Sequence, residues 1–314
     1  MPEIYSLQNK KIWVAGHHGL VGSAVRRLLE SKGHDVLTAR RDALDLRDQA
    51  GVQRWMVEHK PDVVILAAAK VGGIGANMAA PAEFIYDNLM IEANVIHGAY
   101  LLGVEKLLFL GSSCIYPKDA ESPIKEAALM SGALEPSNAP YAVAKIAGTQ
   151  MCKAYRAQYG CDFIAAMPCN LYGPHDNFDL ESAHVIPALI RKAHEAKMRG
   201  DKTLEVWGSG KPLREFLYAP DLAAALLVLL ERYSGAEPVN IGAGYELSIA
   251  ALAQKIAAAV GFEGGLVFRA DKPDGTHRKL LDSSVMEGLC RIPVTTLDDG
   301  LSKTYQWYRA EYMQ

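Results

Sequence analysis

The segment Tyr141-Ala-Val-Ala-Lys145 sets a phenol and an ammonium four residues apart, on one face of a helix if the segment is helical. A phenol of ordinary pKa near 10 is a poor proton donor at neutral pH, and a nearby ammonium favours its ionised form. The pair therefore suits the protonation of an alkoxide as a hydride arrives on the adjacent carbon. Upstream, LGSSCIYPK at 110–118 ends an apolar run with the hydroxyl of Ser112, able to hydrogen-bond the same oxygen, and with a thiol at Cys114. Nearer the N-terminus, GHHGLVG spaces Gly16, Gly19 and Gly22 by three. Such glycines let a backbone turn tightly and approach a pyrophosphate, whose charge is favoured at the start of the following helix. TARRD then puts Arg40 and Arg41 where an NAD-selective site usually carries an acid for the ribose 2′-hydroxyl. That favours a 2′-phosphate, hence NADP. Each signal is weak alone, since a glycine triplet and a YxxxK spacing both arise by chance, but their order along the chain makes chance a poor explanation.

These residues need a scaffold, and apolar runs of strand length supply one at 11–15, 35–39, 62–69, 106–111 and 162–167. They alternate with segments of helical period, which predicts an α/β fold with a doubly wound parallel Rossmann sheet. Beyond about residue 170 the alternation is less regular, with loops around a helix near 184–199 and a further helix at 249–260. The expected division is an NADP-binding domain over 1–170 and a smaller C-terminal α/β substrate domain over 171–314.

Composition narrows the class. A chain of 314 residues, half of them apolar, can bury a large core. A formal net charge of -3 without a dense basic block argues against nucleic acid or an anionic membrane as partner. The N-terminus lacks a signal pattern, and the longest apolar run, 222–230, is about half a membrane span. A cytoplasmic protein is expected. The five cysteines, at 114, 152, 161, 169 and 290, are odd in number and show no paired CxxC spacing, so neither a disulfide framework nor a metal site is expected.

The chain resembles the nucleotide-sugar branch of the extended short-chain dehydrogenase/reductases through AGHHGLVGSAVRR, LAAAKVGGIGAN, KLLFLGSSCIYPK, PYAVAKIAG, MPCNLYGPHDNF, AHVIPAL, VWGSGKPLREFL and KPDGTHRKLLD. Within that branch the likeness is to enzymes that epimerise and then reduce a GDP-linked 4-keto sugar. The resemblance implies Ser112, Tyr141 and Lys145 as the reductase triad and Cys114 with His184 as an acid/base pair for epimerisation. It implies that NADP touches Gly16, His17, His18, Gly19, Leu20, Val21, Gly22 and Arg41, the strand end Leu110, Gly111, Ser112 and Ser113, then Lys145, Pro168, Cys169, Asn170, Leu171 and His184. Substrate contacts are implied at Lys192, Trp207, Arg214 and Asp274, and 218–242 is expected to return to the Rossmann sheet. Helices 84–102 and 141–159 are the expected faces of a homodimer, and the polar connection 117–140 is expected to overlie the site.

The thiol then has a chemical use. Hydrogens on C3 and C5 of a 4-keto sugar flank the carbonyl, so removing either as a proton gives an enolate. Inversion needs a proton returned from the opposite face, by two groups titrating near working pH, and a thiol (about 8.5) and an imidazole (about 6.5) meet that need. Alternatives are a 3,6-dideoxy ketosugar substrate, a 4,6-dehydratase, which wants a carboxylate where Cys114 stands, and a non-catalytic NADP-binding regulator, which has no need of the triad.

Overall fold

A computed structural model describes residues 2–272, 274–291 and 294–312. The strands are β1 (Lys11–Ala15), β2 (Asp35–Leu37), β3 (Val63–Leu66), β4 (Lys106–Leu110), β5 (Asp162–Pro168), β6 (Asn170–Tyr172), β7 (Thr203–Trp207), β8 (Leu213–Arg214), β9 (Phe216–Tyr218), β10 (Val239–Ile241), β11 (Leu247–Ser248), β12 (Gly265–Arg269) and β13 (Arg278–Lys279). The helices are α1 (Leu20–Ser31), α2 (Gln49–His59), α3 (Ile74–Ala79), α4 (Pro81–Leu101), α5 (Ala139–Tyr159), α6 (Val185–Arg199), α7 (Ala219–Arg232), α8 (Ile249–Val260), α9 (Ser284–Leu289) and α10 (Leu297–Tyr312).

The main sheet is parallel, in the order β10-β5-β4-β3-β1-β2. Every residue of β3 and β4 is buried, because α4 and α5 cover one face while α1 and α7 pack together over the other, so these strands read as unbroken apolar runs. Strand order reverses between β1 and β3, and the crevice beyond their carboxyl ends is where an open α/β sheet takes its ligand. β3 and β2 are shorter than the apolar runs that announce them. Past Leu66 the chain leaves the ladder and passes so near the first turn that a Cβ on Gly16 would stand 2.6 Å from the Ala68 amide nitrogen.

A second core joins α6, α8 and α10, with Tyr172, Phe178, Leu252 and Leu301 at its centre and the parallel pair β7–β12 beside it. The chain crosses between the two cores more than once. The segment from β9 through α7 to β10 returns to the sheet, where β10 pairs with β5. Leu281, Met286 and Leu289 also enter the first core, a second return made by α9 and the residues before it. Glu215, fully buried, helps to pin this crossing by accepting from the Gly244 and Leu281 amides. The connection 117–140 is tied down at its middle: Ile124 bridges to Leu281, and its carbonyl accepts from Asn240. It is therefore fixed to the body of the fold at that point. Among the described residues no helix is long and apolar enough to cross a membrane.

Candidate active site

β4 ends at Leu110, and the chain then turns sharply, with Ser112 capping a short 3-10 turn over Ser113–Ile115 by accepting from the Cys114 amide at 3.2 Å. That turn faces the start of α5, which places Ser112, Cys114 and Tyr141 at one carboxyl end of the sheet. Lys145 stands one helical turn behind Tyr141, its Nζ 6.0 Å from the phenol ring and 4.6 Å from the Phe109 ring. The ammonium donates to the Leu110 carbonyl at 3.0 Å and pairs at 3.0 Å with Glu92 of α4. Burial holds the Tyr141 phenol well above its ordinary value, and Cys114 and Glu92 push the same way, while Ser112 pulls it back. The spacing alone implies a phenol acidified by lysine, whereas here the Glu92 carboxylate opposes that ammonium.

The Cys114 thiol accepts from Asn138 Nδ2 at 3.2 Å, and Lys279 Nζ lies 3.9 Å away. Arg214 brings its charge to the same thiol and also to Asp274, so it links the chemical end of the cleft to its outer end. His184 is the residue before α6, and the segment leading to it is bonded to the loop after β3 through Gly73 N–H and the Ser182 carbonyl at 3.0 Å. This puts His184 on the same rim of the sheet. His184 is exposed, and desolvation by the surrounding protein lowers its imidazole below the ordinary value.

The dinucleotide loop fits its proposed guest. Gly16 has φ +93, and a Cβ on Gly22 would fall 2.1 Å from the Gly16 carbonyl oxygen, so helix and loop approach as only glycine permits. α1 starts at Leu20 with no side-chain cap on its N-terminus, leaving the amides of Leu20, Val21 and Gly22 for an anion. His17 is buried, its imidazole lowered by burial and by the charges of His18, Arg26 and Arg40, while the His18 ring lies 4.0 Å away at the surface. Arg40 is thus the arginine whose charge reaches the loop, and Arg41, also exposed, acts on Asp45. At the far side Pro168 pairs with Ile241, Cys169 is buried with its thiol pushed up, Asn170 Nδ2 donates to the Glu215 carbonyl and Leu171 pairs with Leu217.

The outer end of the cleft is wetter. Trp207 is 50% exposed, with Lys192 Nζ 4.7 Å and Lys272 Nζ 5.4 Å from its ring. Desolvation lowers the Lys192 ammonium. Asp274 accepts from the Ser209 amide at 2.6 Å and from its hydroxyl at 2.7 Å, shaping the turn after Trp207. A separate cleft of about 520 Å³ between Lys118, Glu135 and the 276–278 strand edge holds none of the candidate residues. Glu92, Asn138 and Lys279 carry no signal of this role in the sequence. Asn138 precedes a helix and reads as a cap, Lys279 lies inside KPDGTHRKLLD without a spacing of its own, and Glu92 is simply one acid in a long helix.

Residues 12–242 match the model of the NAD dependent epimerase/dehydratase family. The chain is 56% identical over 303 residues to a GDP-L-fucose synthase of Sinorhizobium fredii, covering 96% of each chain. It is 35% identical to a GDP-L-colitose synthase of Yersinia pseudotuberculosis, over 96% of this chain and 98% of the other. Among solved structures, a GDP-L-fucose synthetase from Naegleria fowleri bound to NADP superposes with a TM-score of 0.91 at 32% identity, covering 100% of this chain and 98% of that one.

Proposed function

The chain belongs to the NAD dependent epimerase/dehydratase family, and we propose that it is a bifunctional, NADPH-dependent 3,5-epimerase and 4-reductase that converts GDP-4-keto-6-deoxy-D-mannose to GDP-L-fucose. The observation that carries this reading is the joint placement of Ser112, Cys114 and Tyr141 at the end of β4, with Lys145 behind them. A reductase alone has use for the first, third and fourth of these; the thiol beside the ketone is what an epimerase adds.

The sugar ketone sits against the Ser112 and Tyr141 hydroxyls, which stabilise negative charge on the oxygen when C3 or C5 loses a proton. Cys114 and His184 approach the ring from opposite faces, one removing the proton and the other returning it with inversion. Asn138 donates to the Cys114 sulfur, and the Lys279 ammonium stands beside it. NADPH, when bound, supplies the hydride that reaches C4. Tyr141 then gives its proton to the C4 oxygen, and Lys145 balances the charge left on the phenolate.

Trp207 offers its face to the base, Lys192 and Arg214 their charges to the diphosphate, and Asp274 an acceptor. Arg41 and His18 are assigned to the cofactor 2′-phosphate, with Arg40, whose charge reaches the glycine loop, beside them. The colitose relative is the more distant of the two GDP-sugar enzymes, which favours the fucose precursor. We further assign a homodimer through α4 and α5, whose outer face carries Tyr100 stacked on Tyr159, with Tyr155 edge-on to Tyr100 and Leu101 exposed, and we place the reaction in the cytoplasm. Incubation with GDP-4-keto-6-deoxy-D-mannose and NADPH, followed by stereochemical assignment, should yield GDP-L-fucose. An unepimerised 6-deoxyhexose, or no NADPH oxidation, would overturn the reading.

A further inference from the structure

We propose that Glu92 is a positioning residue for the reduction: its carboxylate anchors the Lys145 ammonium behind Tyr141, and its negative charge sets how tightly the phenol holds its proton. Glu92 lies in the middle of α4, and it and Lys145 are only 1% and 2% exposed. Their 3.0 Å approach is a charge contact, and neither Glu92 oxygen has a well-aligned hydrogen bond. A carboxylate so placed is expensive to bury, and such a pair is a poor device for stability, since apolar residues of like volume would serve as well or better.

The surroundings show what the pair does. Lys145 is held on three sides, by the Leu110 carbonyl, the Phe109 ring face and Glu92, so its ammonium cannot drift away from the Tyr141 ring. The chain makes room for this: a Cβ on Gly148 would stand 2.8 Å from Glu92 Oε2 and 2.5 Å from the Phe109 ring, so α5 closes on α4 only with glycine there. The titratable groups facing Glu92 are Lys145, Tyr141 and Cys152, and those facing Tyr141 are Cys114 and Glu92, with Ser112 as its hydrogen-bonding neighbour. Glu92 and Lys145 act on the phenol with opposite signs. The ammonium favours phenolate, and the carboxylate restrains it, so the phenol stays protonated until the hydride has moved.

The inference rests on the reading of Tyr141 as proton donor, and its test separates the two. The rate of reduction falls at high pH as Tyr141 loses its proton. Glu92→Gln removes the restraining charge and leaves the ammonium held by Leu110 and Phe109, so that basic limb should move to lower pH by about one unit. Glu92→Asp keeps the charge one methylene farther away and should move the limb the same way by less. Should Glu92→Gln fail to fold, the aspartate variant alone decides. A second readout needs no turnover: phenolate absorbance titrated in the NADP complex, with Tyr141→Phe as blank, should show the same displacement. Displacement in that titration with an unmoved rate limb would keep Glu92's role and sink Tyr141 as donor. Rates that fall uniformly with both limb and titration unmoved, or a limb that moves to higher pH, would overturn the proposal.

Discussion

The two ends of the cleft are built differently. The chemical end is dry and braced: Lys145 and Glu92 are buried, Ser112 is fixed by the turn it caps, and Tyr141 rises from a helix clamped onto α4 at Gly148. The outer end, which the proposed function gives to the nucleotide, is open, with Trp207 half exposed, Asp274 at the surface and two lysines resting on the indole ring. Groups that move protons gain from being pre-set at low dielectric, because nothing need reorganise during the step. Groups that capture a charged nucleotide must first meet it in water, and can be ordered by it on arrival.

Substitution at the dry end should therefore damage rate, and at the wet end affinity. The largest effect is expected of Tyr141→Phe, which removes one hydroxyl and no packing. NADPH oxidation should fall by at least about 10³-fold with thermal stability unchanged; turnover within tenfold of wild type would remove Tyr141 from the chemistry. Next is Asp176, buried near the β6–α6 connection, whose carboxyl is raised to about 7 by desolvation. A carboxyl with a raised folded-state pKa holds more protons folded than unfolded between about pH 4 and 7, so its contribution to stability falls as pH rises through that window. Asp176→Asn should be more stable than wild type at pH 8, by up to about 4 kcal/mol, and equal to it near pH 4. Unfolding measured at both values checks this, and a gap independent of pH would contradict it. The smallest effect is expected at Trp207→Ala, which should raise KM for the GDP-sugar about tenfold through lost stacking while sparing kcat. A fall in kcat instead would mean that the two ends are not separable in this way.

The sheet was legible because β3 and β4 are buried on both faces and so stand out as unbroken apolar runs. The glycine loop was legible because steric demands at Gly16 and Gly22 leave no other residue. Strand ends were not: the apolar run at 62–69 continues past Leu66, where the chain has already turned into the crevice. Tyr141 and Lys145 declare themselves by spacing along one helix. Glu92 and Lys279 reach the site from distant parts of the chain, and only tertiary packing brings them there, while Asn138 precedes α5 and meets Cys114 only through the fold. The return of α9 to the first core was hidden for the same reason, since Leu281, Met286 and Leu289 carry no period that distinguishes one core from another.

Proton exchange and hydride transfer are assigned to different residues of the same pocket, and Cys114 is where they part. In deuterated water the wild-type enzyme should place deuterium at C3 and C5 of the product. Cys114→Ser, similar in size but a far weaker base, should lose that exchange while still oxidising NADPH slowly, and should release a 6-deoxyhexose that is not inverted at C5. Deuterium incorporation by Cys114→Ser at the wild-type rate would show that the thiol only fills space at the end of β4.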